Sequence, residues 1–375
     1  MSTVVVDVET TTFLKGNPFS ARNRCCYVGA YIEGQTILTW SDDLLYNIRP
    51  ILADTTTLVG FNTKFDIHHL RRLGYRDLDF RIWDCQLAHF LQSGQVGAYP
   101  SLNDTASFWG IEGKDDRVER EYWSAGIDTP DIPRDILIKY LEQDLRVTWQ
   151  VYEKQLEYFL SNPQLYRLFV LQCEDQKSLI EMEENGLLLD TDKASEKARS
   201  LYEEISAIER DLSAYYRGIP INWDSHDHCS TILYGGTIEV DIREAVGVYK
   251  TGAKVGQPRY RIAKQVYNLP RLFEPLPNTE LKKEGYWSTD ESILRQLKGN
   301  VPQMLNKRSE LSKLLDYYDG YPNLLTKMDW PDKILHGQLN QCVARTGRLS
   351  ASNPNQQNIA EEAKEIIISR YACSS

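Results

Sequence analysis

The N-terminal run Val4–Thr10 (VVVDVET) carries two acids inside a segment whose other residues favour burial. Successive side chains of a β-strand point to opposite faces, so Asp7 and Glu9 would lie on the same face. Neighbouring buried carboxylates repel each other unless a cation or hydrogen-bond donors compensate them. The run therefore predicts a strand of a buried sheet. Its two acids either lie at an exposed strand end or hold a cation.

Strand-like and helix-like patterns alternate through residues 1–150. The periodicity predicts strands at Thr3–Val8, Cys26–Ile32 and Thr57–Gly60, and helices at Phe65–Leu73, Trp83–Leu91 and Arg134–Tyr158. That order is typical of an α/β domain. Further along, apolar residues recur every three or four positions from Ala198 to Tyr215 within a charged segment, which predicts a long helix in a mainly helical region.

One stretch of the chain is locally basic. Acidic residues outnumber basic ones by 53 to 43 and the net charge is −10, so a polyanion would be repelled except at a locally basic surface. Between residues 243 and 271 the one acid, Glu244, is outnumbered by Arg243, Lys250, Lys254, Arg259, Arg261, Lys264 and Arg271. The stretch is either a solvated loop or a surface that follows a phosphate backbone, with tyrosines interleaved.

The cysteine spacing and the hydropathy of the chain indicate the cellular compartment in which the protein works. The seven cysteines are scattered and never spaced as a CxxC pair, which argues against a disulfide framework and a structural zinc site. The donors in His226–Cys229 lack a fourth ligand at zinc-like spacing, and Asp84 is interpreted as a helix cap. No apolar run approaches the roughly 18 residues that span a bilayer, so no membrane partner is expected. Together these features predict a protein of the reducing cytoplasm.

Two later motifs add polar side chains to the acidic strand. Asn62 and Asp66 are four residues apart where a strand leads into a helix, although an acid in the first helical turn also compensates the helix dipole. Tyr140 and Asp144 have the spacing that places two side chains on one helix face, although a structural tyrosine would look the same. Each motif is ambiguous when it is considered alone.

Considered together, DxE at Asp7, NxxxD at Asn62 and YxxxD at Tyr140 resemble the three motifs of the DEDDy 3'–5' exonucleases. The resemblance implies an RNase H-like α/β fold with a mixed central sheet, and two divalent ions, Mg²⁺ or Mn²⁺. The ions would be held by Asp7, Glu9, Asp66 and Asp144. By the same resemblance, Tyr140 would orient the attacking water, Asn62 would position the terminal nucleotide and Phe65 would stack against unpaired bases.

The C-terminal part carries a second resemblance. Residues 344–359 (ARTGRLSASNPNQQNI) closely resemble the TGRLS…PNLQNI segment that opens the palm of family A DNA polymerases. Residues 181–186, 232–236 and 286–291 are similar to thumb segments of phage-type members. The family resemblance implies that Arg348, Asn355 and Gln357 contact the primer–template, and we expect Lys250, Lys254 and Arg259 to bind the duplex.

These resemblances predict an organisation for the whole chain. The exonuclease domain would cover residues 1–160, a helical thumb 161–335 with a basic insert at 243–271, and the start of a palm 336–375. The expected activity is proofreading in DNA replication, which releases nucleoside 5'-monophosphates in a bacterial or phage-infected cytoplasm. The later palm and fingers motifs are absent, so a separate C-terminal polymerase chain is expected, and Ile366–Ile368 would otherwise form an unpaired strand edge.

Two other interpretations of the sequence stay open. A DEDDy exoribonuclease would share the acidic motifs but would have no reason to carry the TGRLS segment at residues 346–350. A DNA-binding or assembly subunit of a split polymerase would need no catalysis, yet all five candidate catalytic residues are present.

Overall fold

The computed structural model describes residues 2–32, 37–252 and 254–370. The chain divides into two compact units, one containing the residues up to Thr191 and those from Tyr321 onward, the other Asp192–Gly320. In the described residues no helix combines the length and the hydropathy needed to cross a bilayer.

The helices and strands follow one another in a mixed order. The first part contains β1 (Ser2–Thr10), β2 (Cys25–Ile32), β3 (Ile37–Trp40), α1 (Leu44–Ala53), β4 (Thr55–Gly60), α2 (Thr63–Leu73), β5 (Arg81–Asp84), α3 (Cys85–Gln92), α4 (Leu102–Phe108), α5 (Arg134–Leu160), α6 (Pro163–Asn185) and β6 (Leu187–Leu189). The remainder contains α7 (Thr191–Tyr215), α8 (His226–Tyr234), β7 (Gly236–Val248), β8 (Pro258–Leu269), α9 (Glu291–Leu294), α10 (Asn300–Tyr318), α11 (Gly320–Met328), β9 (Ile334–Leu335), β10 (Gln338–Asn340), β11 (Ser350–Ser352) and β12 (Ile367–Ile368).

A five-stranded mixed sheet forms the centre of the first unit. Its strand order is β3-β2-β1-β4-β5, in which β1 pairs antiparallel with β2 and parallel with β4. The valines of β1 are almost wholly buried, because β1 is the central strand and helices cover the sheet. The mixed α/β architecture predicted from the sequence is therefore confirmed.

The acidic end of β1 extends past its parallel neighbour. The pairing of β1 with β4 is formed through Val5 and Val59, whereas Asp7 and Glu9 pair only with β2. The carboxyl end of a parallel strand is where an α/β sheet leaves room for a ligand. The two acids thus stand at the opening of the sheet while the valines before them anchor the strand.

Helix α5 packs closely on β2 at a glycine. A Cβ added to Gly29 would lie 2.7 Å from Leu145 Cδ1 and 3.0 Å from Leu141 Cγ, so any larger residue would push the helix away. Both leucines are fully buried. Because Gly29 pairs with Asp7, this contact brings the face of α5 that carries Tyr140 and Asp144 towards the acidic end of β1.

One predicted helix begins later than expected. Trp83 lies in β5, and α3 begins at Cys85, because the Asp84 side chain accepts hydrogen bonds from the backbone N–H groups of Gln86 and Leu87. The interpretation of Asp84 as a helix cap is confirmed.

The basic stretch of the second unit is a hairpin. Strands β7 and β8 pair antiparallel from Gly236 with Leu269 to Val248 with Pro258, and most of their side chains are exposed. The stretch is therefore not a loop, because backbone hydrogen bonds along two long strands hold it together. Its side chains are solvated, and the phosphate-following surface stays a prediction. The unit has its own core, formed by Leu212, Tyr216, Ile232, Leu233, Tyr234, Ile238, Leu294, Leu297, Val301 and Leu305.

The end of the described chain returns to the first unit. Strand β12 pairs antiparallel with β6, with Ile367 opposite Leu189, and β6 also pairs with β9. The run Ile366–Ile368 is therefore not unpaired as expected, since a strand distant in sequence pairs with it on one side, and β12 forms an edge of the sheet β12-β6-β9. Residues 371–375 of the predicted palm segment lie outside the described residues.

Candidate active site

Three of the predicted carboxylates meet at the end of the sheet. Ligand oxygens of Asp7, Glu9 and Asp144 all lie within 4.8 Å of one another. Asp66, in the first turn of α2, is 3% exposed, and its Oδ1 accepts a hydrogen bond of 3.1 Å from the backbone N–H of Val8. The strand β1 and the helices α2 and α5 therefore bring all four acids of the three sequence motifs to one place.

Burial and mutual repulsion make these acids difficult to ionise without a counter-ion. Burial, with the charge of Asp144, raises the pKa of Asp7 to about 7, and burial raises the pKa of Asp144 to about 6 even though Lys114 opposes that rise. Burial and the charge of Asp7 also raise the pKa values of Glu9 and Asp66. A bound cation would therefore favour the ionised form of these acids.

The donor set fits a hard divalent cation. Asp144 is only 7% exposed, and its buried Oδ1 atom has no hydrogen-bond partner. A buried carboxylate oxygen without a donor is costly, and oxygen-only ligand sets suit Mg²⁺ and Mn²⁺. In the described part of the chain no other group of three acidic, histidine or cysteine side chains converges in this way.

A lysine that the sequence analysis missed contacts the same cluster. Lys114 Nζ donates to Asp144 Oδ2 at 3.0 Å, to Tyr140 Oη at 2.5 Å and pairs with Glu119 Oε1 at 3.1 Å. Tyr140 in turn donates to Glu119 Oε1 at 2.9 Å. Burial opposes the charge of Lys114, but Asp144 and Glu119 together raise its pKa. Lys114 lies between α4 and α5, outside any periodic pattern, so no local signal identified it.

Two cavities lie near the end of the sheet, and one of them is lined by an acid of the cluster. One, of about 420 Å³, is lined by Glu9, Gly16, Phe65 and Trp123 among others. The second, of about 220 Å³, is lined by Asn62, Phe65 and Tyr99 among others. Phe65 borders both cavities, and Trp123 also packs edge-on against Tyr140, with ring centroids 5.6 Å apart. Aromatic rings thus flank the space next to the carboxylates, and Trp123 is a further residue that sequence patterns did not indicate.

Asp84 holds the turn that precedes Asp66. Its carboxylate is 2% exposed and accepts hydrogen bonds from the backbone of Asn62, Thr63, Gln86 and Leu87 and from the side chains of Thr63 and Gln176. Asn62 itself is exposed and has a left-handed conformation, with φ 62°. The buried carboxylate therefore sets the direction in which α2 leaves the sheet.

Asp84→Ala is expected to lower the free energy of unfolding by about 3 kcal/mol or more, because several buried donors would lose their acceptor at once. Urea titration of the variant measures the loss. Asp79→Ala, which removes an exposed acid from the same region, should change stability by less than about 0.5 kcal/mol. A loss below about 1 kcal/mol in Asp84→Ala would contradict the anchoring role.

The predicted DNA contacts are divided between the two units. Lys250, Lys254 and Arg259 are exposed at the turn end of the β7–β8 hairpin in the second unit. In the first unit Arg348 and Gln357 are exposed, and the side chain of Asn355 accepts a hydrogen bond from the backbone N–H of Gln357. In the segment His226–Cys229, which the sequence analysis did not favour as a zinc site, two side chains form local hydrogen bonds. His228 Nδ1 accepts from the backbone of Asn222, and Cys229 donates to the backbone of Trp223.

Comparison with known proteins identifies the relationship. Residues 260–373 match the sequence model of DNA polymerase family A. Over 327 residues, 86% of this chain, the sequence is 25% identical to DNA polymerase I of Treponema pallidum. Over 329 residues, 84% of the chain, it is 26% identical to the DNA polymerase of Bacillus phage SP01. The chain is a relative of the family A DNA polymerases.

The chain spans only about a third of the length of the two polymerases. The chain spans 28% of the Treponema polymerase and 35% of the phage polymerase. The solved structure of the POL domain of Pol1 from M. smegmatis, in complex with DNA primer-template and dNTP, superposes with a TM-score of 0.68 at 16% identity. That likeness covers 97% of this chain and 54% of the other, and it shows a shared fold.

Proposed function

We propose that this relative of the family A polymerases is a 3'–5' exonuclease that removes 3'-terminal nucleotides from DNA and releases nucleoside 5'-monophosphates. The observation that carries the proposal is the convergence of the partly buried Asp7 with the buried Glu9 and Asp144, with one Asp144 oxygen left without a donor. Asp66 lies against the same strand, and Tyr140 stands beside Asp144. An RNase H-like fold for the first unit is part of the same proposal and agrees with its mixed sheet.

Each group has a role in the proposed reaction. Asp7, Glu9, Asp66 and Asp144 hold two divalent ions, Mg²⁺ or Mn²⁺, which supply activation of water and charge neutralisation at the leaving oxygen. The Tyr140 phenol orients the attacking water, and Asn62 contacts the terminal nucleotide. Phe65 and Trp123 flank the cavity beside Glu9, where an unstacked terminal base would find aromatic faces. The buried sheet below the acids excludes bulk solvent from one side.

The duplex is proposed to bind at separate basic and polar positions. Lys250, Lys254 and Arg259 carry exposed charges on the hairpin, and in the described residues none of them forms an ion pair with an acid. Arg348, Asn355 and Gln357 offer donors and acceptors of the kind that contact the minor groove. The place of action would be the cytoplasm, where bacterial and phage DNA is replicated. A separate C-terminal polymerase chain stays a prediction.

Replacing Lys250, Lys254 and Arg259 together by glutamine is expected to weaken duplex binding and to reduce the slope of log affinity against log salt by about 1 to 3, since each phosphate contact contributes about 0.9. Fluorescence anisotropy at several salt concentrations measures the slope. The matched control replaces Lys139, Arg146 and Lys154, three exposed basic residues of α5, and should leave the slope unchanged. An unchanged slope in the hairpin variant would remove the hairpin from the DNA-binding surface.

The deciding experiment is digestion of a 5'-labelled primer–template with a 3' mismatch, resolved at single nucleotides, in Mg²⁺ and in EDTA. Metal-dependent shortening from the 3' end is expected. An RNA primer of the same sequence separates the exodeoxyribonuclease from the exoribonuclease, which would prefer the RNA. Duplex binding without shortening of either primer would instead support the non-catalytic DNA-binding subunit.

A further inference from the structure

Lys114 is largely buried in the acidic cluster, unlike a lysine in a surface ion pair. Its side chain is 16% exposed, and its ammonium contacts Asp144, Tyr140 and Glu119 at once. The same ammonium lies 4.5 Å from the centre of the Tyr140 ring. In the described residues it is the one basic group that forms an ion pair with any of the four acids. A single lysine thus supplies the positive charge of the cluster.

Hydrogen bonds anchor the backbone at Lys114, but the long side chain can still move. The backbone N–H of Lys114 donates to Asn103 Oδ1 at 2.8 Å, and the next residue, Asp115, donates its N–H to Gln143 Oε1 at 3.1 Å. The four-carbon stem of a lysine can change rotamer without moving such an anchored backbone. Glu119, with about half of its side chain exposed, offers the ammonium a second carboxylate away from Asp144. The charge can therefore leave Asp144 and remain paired.

We propose that Lys114 is a built-in counter-ion of the acidic cluster, which balances part of its negative charge in the metal-free protein and leaves Asp144 when a divalent cation binds. The proposal rests on the metal site of the proposed function. Asp144 offers Oδ1 freely but shares Oδ2 with Lys114, so full use of this carboxylate by a metal ion competes with the ammonium. Two cations a few ångströms apart also repel each other strongly in a partly buried site. Lys114 accordingly weakens metal binding.

Calorimetric titration with Mn²⁺ tests the competition in the full chain. Lys114→Gln is expected to bind Mn²⁺ about tenfold more tightly than the unaltered protein, because the competing charge is gone. Lys139→Gln is the matched control, since it removes one exposed lysine from the neighbouring helix α5 and should leave the affinity unchanged. Equal or weaker Mn²⁺ binding by Lys114→Gln, with the control unaltered, would overturn the counter-ion role.

A measurement on the unaltered protein does not depend on the folding of any variant. The rate of reductive methylation of Lys114, relative to Lys139, can be followed by peptide mass spectrometry with and without Mn²⁺. Release from Asp144 should raise the relative rate at Lys114 at least about threefold, because the amine becomes more accessible to reagent. An unchanged or lower rate in saturating Mn²⁺ would mean that Lys114 stays in place, and would refute the proposal.

Mn²⁺ binding by the unaltered protein and by Lys114→Gln distinguishes a wrong role for Lys114 from a wrong assignment of the metal site. If the unaltered protein binds Mn²⁺ and Lys114→Gln binds it no better, the metal site stands and only the role of Lys114 is refuted. If neither protein binds Mn²⁺, the acidic cluster is no metal site, and both proposals are refuted together.

Discussion

Asp7→Asn is expected to lower the rate of 3'-terminal digestion at least about a thousandfold while the affinity for DNA changes by less than about twofold. A ligand oxygen of Asp7 lies within 4.8 Å of those of Glu9 and Asp144, and the backbone N–H of the next residue, Val8, donates to Asp66. An amide of the same shape keeps the packing but removes the charge that holds divalent ions, and two-metal hydrolysis depends on those ions. Single-turnover digestion of the labelled primer measures the rate.

The control for this prediction is Asp77→Asn, which alters an exposed acid of the same unit and should digest DNA at the unaltered rate. Anisotropy with the same primer–template measures the affinity in EDTA, where no digestion occurs. Digestion by Asp7→Asn at a rate within about tenfold of the unaltered protein would show that the acids at the end of β1 are not the metal ligands.

In EDTA at pH 8, Asp7→Asn is expected to raise the free energy of unfolding by about 2 to 4 kcal/mol. Burial and Asp144 raise the pKa of Asp7 from 3.8 to about 7, so the folded protein binds this proton more tightly than the unfolded chain. The stability contributed by that proton is present below about pH 4 and is lost as the pH rises to about 7. Above that pH, folding forces a repelled charge into the site, and asparagine removes it.

Urea titrations at pH 5 and pH 8 measure this effect, and the advantage of the variant should grow with pH. In saturating Mn²⁺ the order should reverse, because a ligand that binds only the folded state stabilises the unaltered protein. Should Asp7→Asn be no more stable than the unaltered protein at pH 8 in EDTA, the acids are not crowded in the metal-free state. Asp77→Asn again provides the matched comparison.

Local sequence patterns predicted the elements that carry the acids. The alternation in Val4–Thr10 predicted that Asp7 and Glu9 share a face, and their ligand atoms do converge. The four-residue spacing of Tyr140 and Asp144 likewise places both next to one ammonium group. These predictions succeeded because strand and helix periodicity depends on neighbours in sequence. The TGRLS segment similarly indicated the polymerase relationship that the comparisons confirm.

The sequence by itself thus determined the strand and helices of the site, the identity of its acids and the family relationship. Only the tertiary structure brought Lys114, Glu119 and Trp123 to those acids, because these residues lie between α4 and α5, where no periodicity specifies direction. The tertiary structure also decided that Ile367 pairs with Leu189 and that the basic stretch is a hairpin. Such contacts depend on which distant surfaces can be buried together, and that free energy belongs to the whole fold and to no local pattern.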